Sequence, residues 1–359
     1  MAGGGFNRVI GLALHDLPPA IIRIPRFSGD MLQEIQDQHA ITSFLGTTAI
    51  PVPETIAYDA TTGNRIGSEY IIQRRIPGVP LVHIYHGLDM NTKEHILDQV
   101  TDLLVELENI QFPTVGQLVA AGGLPDSLTV HGSNESYQAG LATKSFPSFC
   151  SNPPKTGPPP TTLEGAFAER FRFWYADSEE WMTEVVLPQL SEIINEMRGL
   201  GLFEDCSAAP NVLHHWDFEP RNIMVEGGNG KYKVTGLLDW DAAMSVPLVL
   251  ARKPPAWLWL PQGKMTSTRD WDDVDVDEVE LGPAELRTVF ERNMEKRVGS
   301  KYVEDAFGKG RWIRRVWDFL LHGFLSEESG DGFRRFLEEW KSYREGGAPA
   351  AGPRGSPYG

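Results

Sequence analysis

Cysteine is almost missing from this chain. Cys150 and Cys206 are the only two in 359 residues, and no C-x-x-C pair occurs. A disulfide framework and a cysteine-ligated zinc centre are excluded, and reduced thiols in a cytoplasmic setting are expected. Also lacking is any apolar run of the roughly 20 residues that span a bilayer. The stretches at Pro247–Leu250 and Trp257–Leu260 are interrupted by Arg252, Lys253, Pro254 and Pro255. Nothing at the start reads as a signal peptide. Positive charge is scarce: 33 Lys and Arg face 49 Asp and Glu, a formal charge of −16. That balance opposes nucleic acid or an anionic membrane as a partner. The acidic run Asp270, Asp272, Asp273, Asp275 and Asp277 lacks the glycine and glutamate of a calcium loop and reads as a solvated segment.

What remains is ordinary globular composition, 41% hydrophobic and 23% charged, in a chain long enough for two cored lobes. No internal repeat is evident. Leu12–Asp16 and Ala20–Ile24 read as strands around Leu17-Pro18-Pro19, Met31–Leu45 as a helix, and Thr55–Asp59 and Glu69–Gln73 as further strands. This is an α+β N-terminal portion. After a hinge near Ile76-Pro77-Gly78, apolar residues at helical spacing predict a helix over Thr92–Ile110, begun by a capping box of Asn91 and Glu94. Leu141–Thr162, with Pro158-Pro159-Pro160, reads as a surface loop. A long helical stretch over Gly165–Met197 is expected to break at Pro188. Helices follow near Pro283–Lys296, Arg311–Leu325 and Phe333–Tyr343. The tryptophans, among them Trp174, Trp181, Trp257, Trp259, Trp312, Trp317 and Trp340, read as core. No zinc spacing joins His83, His86, His214 and His215.

Chemistry concentrates in one span. His215-Trp216-Asp217-Phe218-Glu219-Pro220-Arg221-Asn222 reads H-x-D-x-x-x-x-N, and Gly236-Leu237-Leu238-Asp239-Trp240-Asp241 ends an apolar strand in D-W-D. Ile223-Met224-Val225 and Val234–Leu238 are joined by Gly227-Gly228-Asn229-Gly230, a strong hairpin signal. Pairing these strands brings Asn222 and Asp239 to one end, with Asp217 just upstream. A carboxylate to orient a hydroxyl, plus an amide and a second carboxylate for magnesium, is the set that phosphoryl transfer requires.

The two motifs resemble those of the aminoglycoside phosphotransferase family, relatives of the protein kinases that phosphorylate small molecules. Pro247–Trp259, with Arg252, Pro254, Pro255 and Trp257, is similar to fungal-type members. The resemblance implies a protein-kinase-like bilobal fold: a small β-rich N-terminal lobe over residues 1–78, a larger, mainly helical lobe over 79–345, and a disordered tail over 346–359. It implies ATP and Mg²⁺ as cofactors and a hydroxyl of a small molecule as acceptor, without saying which. Asp217 would be the base, His215 a brace of its loop, and Asn222 and Asp239 the metal ligands. Gly4, Gly5, Phe6 and Asn7 resemble the glycine-rich turn over the nucleotide, and Arg23, in Ile21-Ile22-Arg23-Ile24-Pro25, the cation that grips the phosphates. Gln73, Arg74 and Arg75 lie in the segment that would seat the adenine. Two departures stand out. The helix position that carries a glutamate in kinases falls on Gln38, with Glu34 or Asp37 as substitutes, and too few residues precede the glycine turn for a first strand, so either the lobe lacks one or this start is not the native one. These departures motivate an alternative, a nucleotide-binding scaffold or pseudokinase without turnover. A protein kinase proper is disfavoured by the lack of H-R-D, D-F-G and A-P-E segments.

Overall fold

The structure is a computed structural model that describes residues 7–13, 15–26, 32–122, 127–129, 141–144, 158–176, 178–204, 206, 209–259, 284–323 and 327–346. Gly4, Gly5, Phe6, the Asp270–Asp277 run and residues 347–359 of the tail lie outside the described residues. Two compact units are present. The first gathers Met1–Thr92, Gly116–Phe146 and His214–Ser245, and the second Lys93–Val115, Pro147–Leu213 and Val246–Gly359.

In the first unit an antiparallel sheet runs in the spatial order Asn7–Leu12, Ala20–Pro25, Tyr70–Arg74, Thr55–Asp59, Ser127–Thr129. The first strand is displaced from the expected Leu12–Asp16. Its register runs from Asn7 opposite Pro25 to Leu12 opposite Ala20. That register leaves residues 13–19 for the turn, where Pro18 and Pro19 have no N–H to give a ladder. Asn7 is therefore a strand residue and not part of a turn. The helix Leu32–Leu45 buries Ile35, Ala40, Ile41 and Leu45. Ile35 packs with Tyr58 and Ile71 from the sheet and with Ala60 just past the strand Thr55–Asp59.

The Ile223–Gly228 and Lys231–Leu237 strands form the expected hairpin, closed at Asn229 (φ 53°) and Gly230 (φ 79°). Both residues are left-handed, as a two-residue turn of this twist demands. Its outer edge is held by Val79–Pro80, paired with Met224 and Val225. Gly78 makes that approach possible. It sits at φ 97°, and a Cβ there would lie 2.1 Å from the Val225 carbonyl oxygen.

Met90–Asn109 forms the expected amphipathic helix, but Asp89 caps it. The carboxylate of Asp89 accepts the Thr92 N–H (2.9 Å) and hydroxyl (3.0 Å), so the capping box assigned to Asn91 and Glu94 is corrected. In the second unit the stretch expected over Gly165–Met197 is two helices, Leu163–Ala176 and Leu187–Gly199. A π-helical turn at Met182–Val186 leads into the second, and Pro188 occupies its first turn, where no N–H is needed. Ala284–Val298, Lys309–His322 and Glu327–Arg344 match the three expected C-terminal helices, and Lys301–Phe307 is an additional short one. Of the seven tryptophans expected in the core six are buried, and Trp181 is 45% exposed. Arg252 crosses this core between Glu108 (2.9 and 3.1 Å) and Asp305 (2.9 Å). A buried guanidinium is tolerated only with such full pairing.

His39, buried on the Leu32–Leu45 helix, is pushed down to about 4 by burial. The unfolded chain takes its proton near pH 6.5 while the folded chain does not, so stability falls as pH drops through that window. Chemical denaturation at pH 7 and pH 4.5 is expected to give a smaller acid loss in His39→Gln than in the wild type. The difference should be about 2–3 kcal/mol, and equal losses would contradict the assignment.

Candidate functional site

The loop after the Asn211–His214 strand is tied down along its length. The amide N–H of Glu219 donates to the Asp217 carbonyl (2.8 Å), that of Asn222 to the Glu219 carbonyl (2.9 Å), and that of Val82 to the Pro220 carbonyl (3.0 Å). The Asn222 side-chain nitrogen donates to the Asp217 carboxylate (2.7 Å) and to its carbonyl (2.9 Å). The Asn222 amide thus spends its N–H₂ on Asp217, which leaves its oxygen for a cation. On the other side, the Leu238 N–H donates to the Asn222 carbonyl (2.8 Å). This bond extends the ladder one step past Ile223 opposite Leu237 and sets Asp239 beside Asn222.

His215 braces both segments. It is 2% exposed, and its Nε2–H donates to the Leu238 carbonyl (2.8 Å) while the ring packs edge-on against Trp240 at 4.6 Å. Burial lowers its pKa, against the pull of Asp239 and Asp217, so the ring stays neutral. Its Nδ1 is enclosed without a partner, the state expected of a neutral Nε2–H tautomer. Asp239 itself sits at φ 66°, a left-handed conformation that an aspartate tolerates better than most residues.

Arg23 reaches the same place from the Ala20–Pro25 strand. Its Nη2 lies 2.8 Å from Asp241 and 3.3 Å from Asp239. Burial opposes its charge, but the two carboxylates outweigh burial and raise its pKa. Asp241 is pushed up to about 6, first by burial and then by Asp239 against the pull of Arg23. Its side chain keeps 29% of its surface exposed, yet one carboxylate oxygen is enclosed without a partner. Asp241 is thus the nearer of the two carboxylates paired with Arg23. Gln38 is buried, and Asp37, one expected substitute, gives its carboxylate to the Ala120 N–H (2.8 Å). Glu34, the other, has its pKa raised by burial, and its charge is felt by Asp241.

Asp217, His215, Asn222, Asp239 and Arg23 thus come together in one unit. Gln73 is buried in the Tyr70–Arg74 strand, Arg74 pairs with Glu54 (2.7 Å), and the Arg75 N–H donates to the Pro19 carbonyl (3.0 Å). None of these contacts joins the three to the Asp217 cluster. Sequence reasoning passed over Arg221, whose guanidinium is ion-paired with Asp217. The only signal for it was its position four residues on. Hard oxygen donors from one amide and one carboxylate suit magnesium, which takes its other ligands from phosphate and water. Asn222 and Asp239 fit that chemistry.

Removing Arg23 would leave Asp239 and Asp241 side by side without a counter-charge. Arg23→Met is expected to destabilise the protein by about 3 kcal/mol. Arg23→Met with Asp241→Asn should recover a clear fraction of that loss in urea unfolding, whereas strictly additive losses would show that the pair is not coupled.

Several known proteins resemble this chain. A subtelomeric hrmA-associated cluster protein of Aspergillus fumigatus is 31% identical over 120 residues, 33% of this chain and 24% of that protein. The mitochondrial altered inheritance of mitochondria protein 9 of Candida tropicalis is 26% identical over 125 residues, 32% of this chain and 20% of that protein. The matched stretch thus spans about a quarter or less of these curated relatives. Among solved structures, aminoglycoside phosphotransferase APH(4)-Ia in a ternary complex with AMP-PNP and hygromycin B has a TM-score of 0.50 at 15% identity, covering 97% of this chain and 93% of that one. A putative aminoglycoside phosphotransferase from Ralstonia eutropha has a TM-score of 0.51 at 13% identity, covering 96% and 94%. These likenesses establish the α+β, protein-kinase-like fold class expected from the sequence. The APH model, described as the phosphotransferase enzyme family, matches residues 3–249, and the chain belongs to that family.

Proposed function

We propose that this protein moves the γ-phosphoryl group of ATP to a hydroxyl of a small molecule. One observation carries the reading: the Asn222 amide is held by Asp217 through its nitrogen while its backbone is laddered to Leu238, next to Asp239. In this reading Asp217 orients the acceptor hydroxyl and takes its proton as the oxygen bonds to phosphorus. Asn222 and Asp239 hold Mg²⁺, which when bound neutralises charge on the phosphate oxygens. Arg23 leaves its two carboxylates in part to grip phosphate, a task its planar, permanently charged fork suits. Asp241 then keeps that cation placed, and His215 keeps the loop and the Asp239 segment in register.

Several finer points belong to the same reading. Gly4, Gly5 and Phe6 would cover the nucleotide, and Gln73, Arg74 and Arg75 would line the adenine end, largely through backbone. Residues 1–78 would act as the nucleotide lobe and 79–345 as the catalytic one. The acceptor is a small molecule and not nucleic acid, and the setting is cytoplasmic; among the described residues no helix is long and apolar enough to cross a membrane.

A second reading, a nucleotide-binding scaffold, draws on Gln38 at the usual acid position and on the engagement of Arg23 by both carboxylates. Thermal-shift titration with Mg·ATP and a screen of metabolite pools with labelled ATP separate the two. Asp217→Asn is expected to abolish labelled product while the Mg·ATP-induced shift persists. Wild-type product yield from Asp217→Asn would remove Asp217 from the role of base. A Mg·ATP shift with no product from any pool and no ATP hydrolysis would favour the scaffold.

A further inference from the structure

We propose that Arg221 is a positioning residue for phosphoryl transfer, clamping the Asp217 carboxylate in the orientation that receives the acceptor proton; the proposal rests on the phosphotransferase reading above. Asp217 is held on both oxygens: Oδ1 takes a hydrogen bond from the Arg221 Nη2, and Oδ2 takes one from the Asn222 amide. A carboxylate has about four lone-pair sites. Two donors therefore fix its plane and still leave sites for a substrate hydroxyl. With only Asn222 holding it, the carboxylate could turn about its last torsion, which is broad for aspartate.

The backbone at Arg221 is pinned on both sides. The Pro220 carbonyl accepts the Val82 N–H (3.0 Å), and Asn222 is fixed through its N–H, its carbonyl and its side chain. The four-residue spacing is thus not that of a helix face, where such pairs form incidentally. The loop geometry aims the guanidinium at this one carboxylate. The Arg221 side chain is 49% exposed, and Asp217 is its partner among the described residues.

The step itself balances within the phosphotransferase reading. The acceptor oxygen bonds to the γ-phosphorus, the bond to the β–γ bridging oxygen breaks, the electron pair leaves on ADP, and the hydroxyl proton passes to Asp217. Arg221 forms no bond in this step. It holds the receiving oxygens in place.

A half-exposed ion pair contributes little to stability, so structure and catalysis can be told apart. Mg·ATP hydrolysis, with water as acceptor, is measured for the wild type, Arg221→Ala, Arg221→Lys and Asp217→Asn, together with melting temperature. Arg221→Ala is expected to lower kcat by roughly 10–100-fold, with KM for ATP and melting temperature nearly unchanged. Arg221→Lys should regain part of the rate, and tens of millimolar guanidinium should rescue Arg221→Ala but not Asp217→Asn. Wild-type kcat in Arg221→Ala, with Asp217→Asn inactive, would overturn the role of Arg221 and leave the phosphotransferase reading standing. A wild type that binds Mg·ATP yet neither hydrolyses it nor labels any metabolite pool would overturn both.

Discussion

The register of one hairpin governs this site. Ile223 stands opposite Leu237, and the next step of the ladder joins Leu238 to Asn222. A slip of one residue would turn every side chain on that strand to the other face, and Asp239 would lose its place beside Asn222. The register is protected accordingly. The turn is an Asn-Gly pair with both residues at positive φ. Gly236 has no room for a side chain, since a Cβ would meet Ile76 at 2.7 Å. Thr235 gives its hydroxyl to the Pro77 carbonyl (2.7 Å). The turn sets the pairing as far as Val225 opposite Val234, and a shift between Met224 and Val225 then places Met224 opposite Gly236 and Ile223 opposite Leu237.

Around that frame the charges form one network. Arg23 pairs with Asp239 and Asp241, His215 stays neutral, and Arg221 and Asn222 each hold one oxygen of Asp217. One guanidinium thus serves two carboxylates, and one Asp241 oxygen is enclosed without a partner. In the proposed reaction a triphosphate would compete with Asp239 and Asp241 for Arg23, and a divalent ion would make that exchange favourable by taking over the carboxylate.

Local signals made part of this legible. The Asn-Gly turn, the spacing from His215 to Asn222 and the D-W-D ending all act over a few residues, and each reads the same in sequence and structure. Contacts between distant residues were not legible. Arg23 and Asp241 lie 218 positions apart, so nothing in either segment said that they would pair. Asp37 could have been the helix acid, but the Ala120 N–H took it. Arg221 was hidden because a four-residue spacing predicts contact on a helix and says nothing about a loop. The first strand was placed too late because apolar residues continue through the turn, where the prolines, not hydrophobicity, set the boundary.

The claim beneath all of this is that Asn222 and Asp239 jointly bind a divalent ion with a nucleotide. Manganese paramagnetic resonance in the presence of ADP measures that directly. The account predicts one nucleotide-dependent manganese site in the wild type, lost in both Asn222→Ala and Asp239→Ala while each variant remains folded. Undiminished manganese binding in both variants would contradict it.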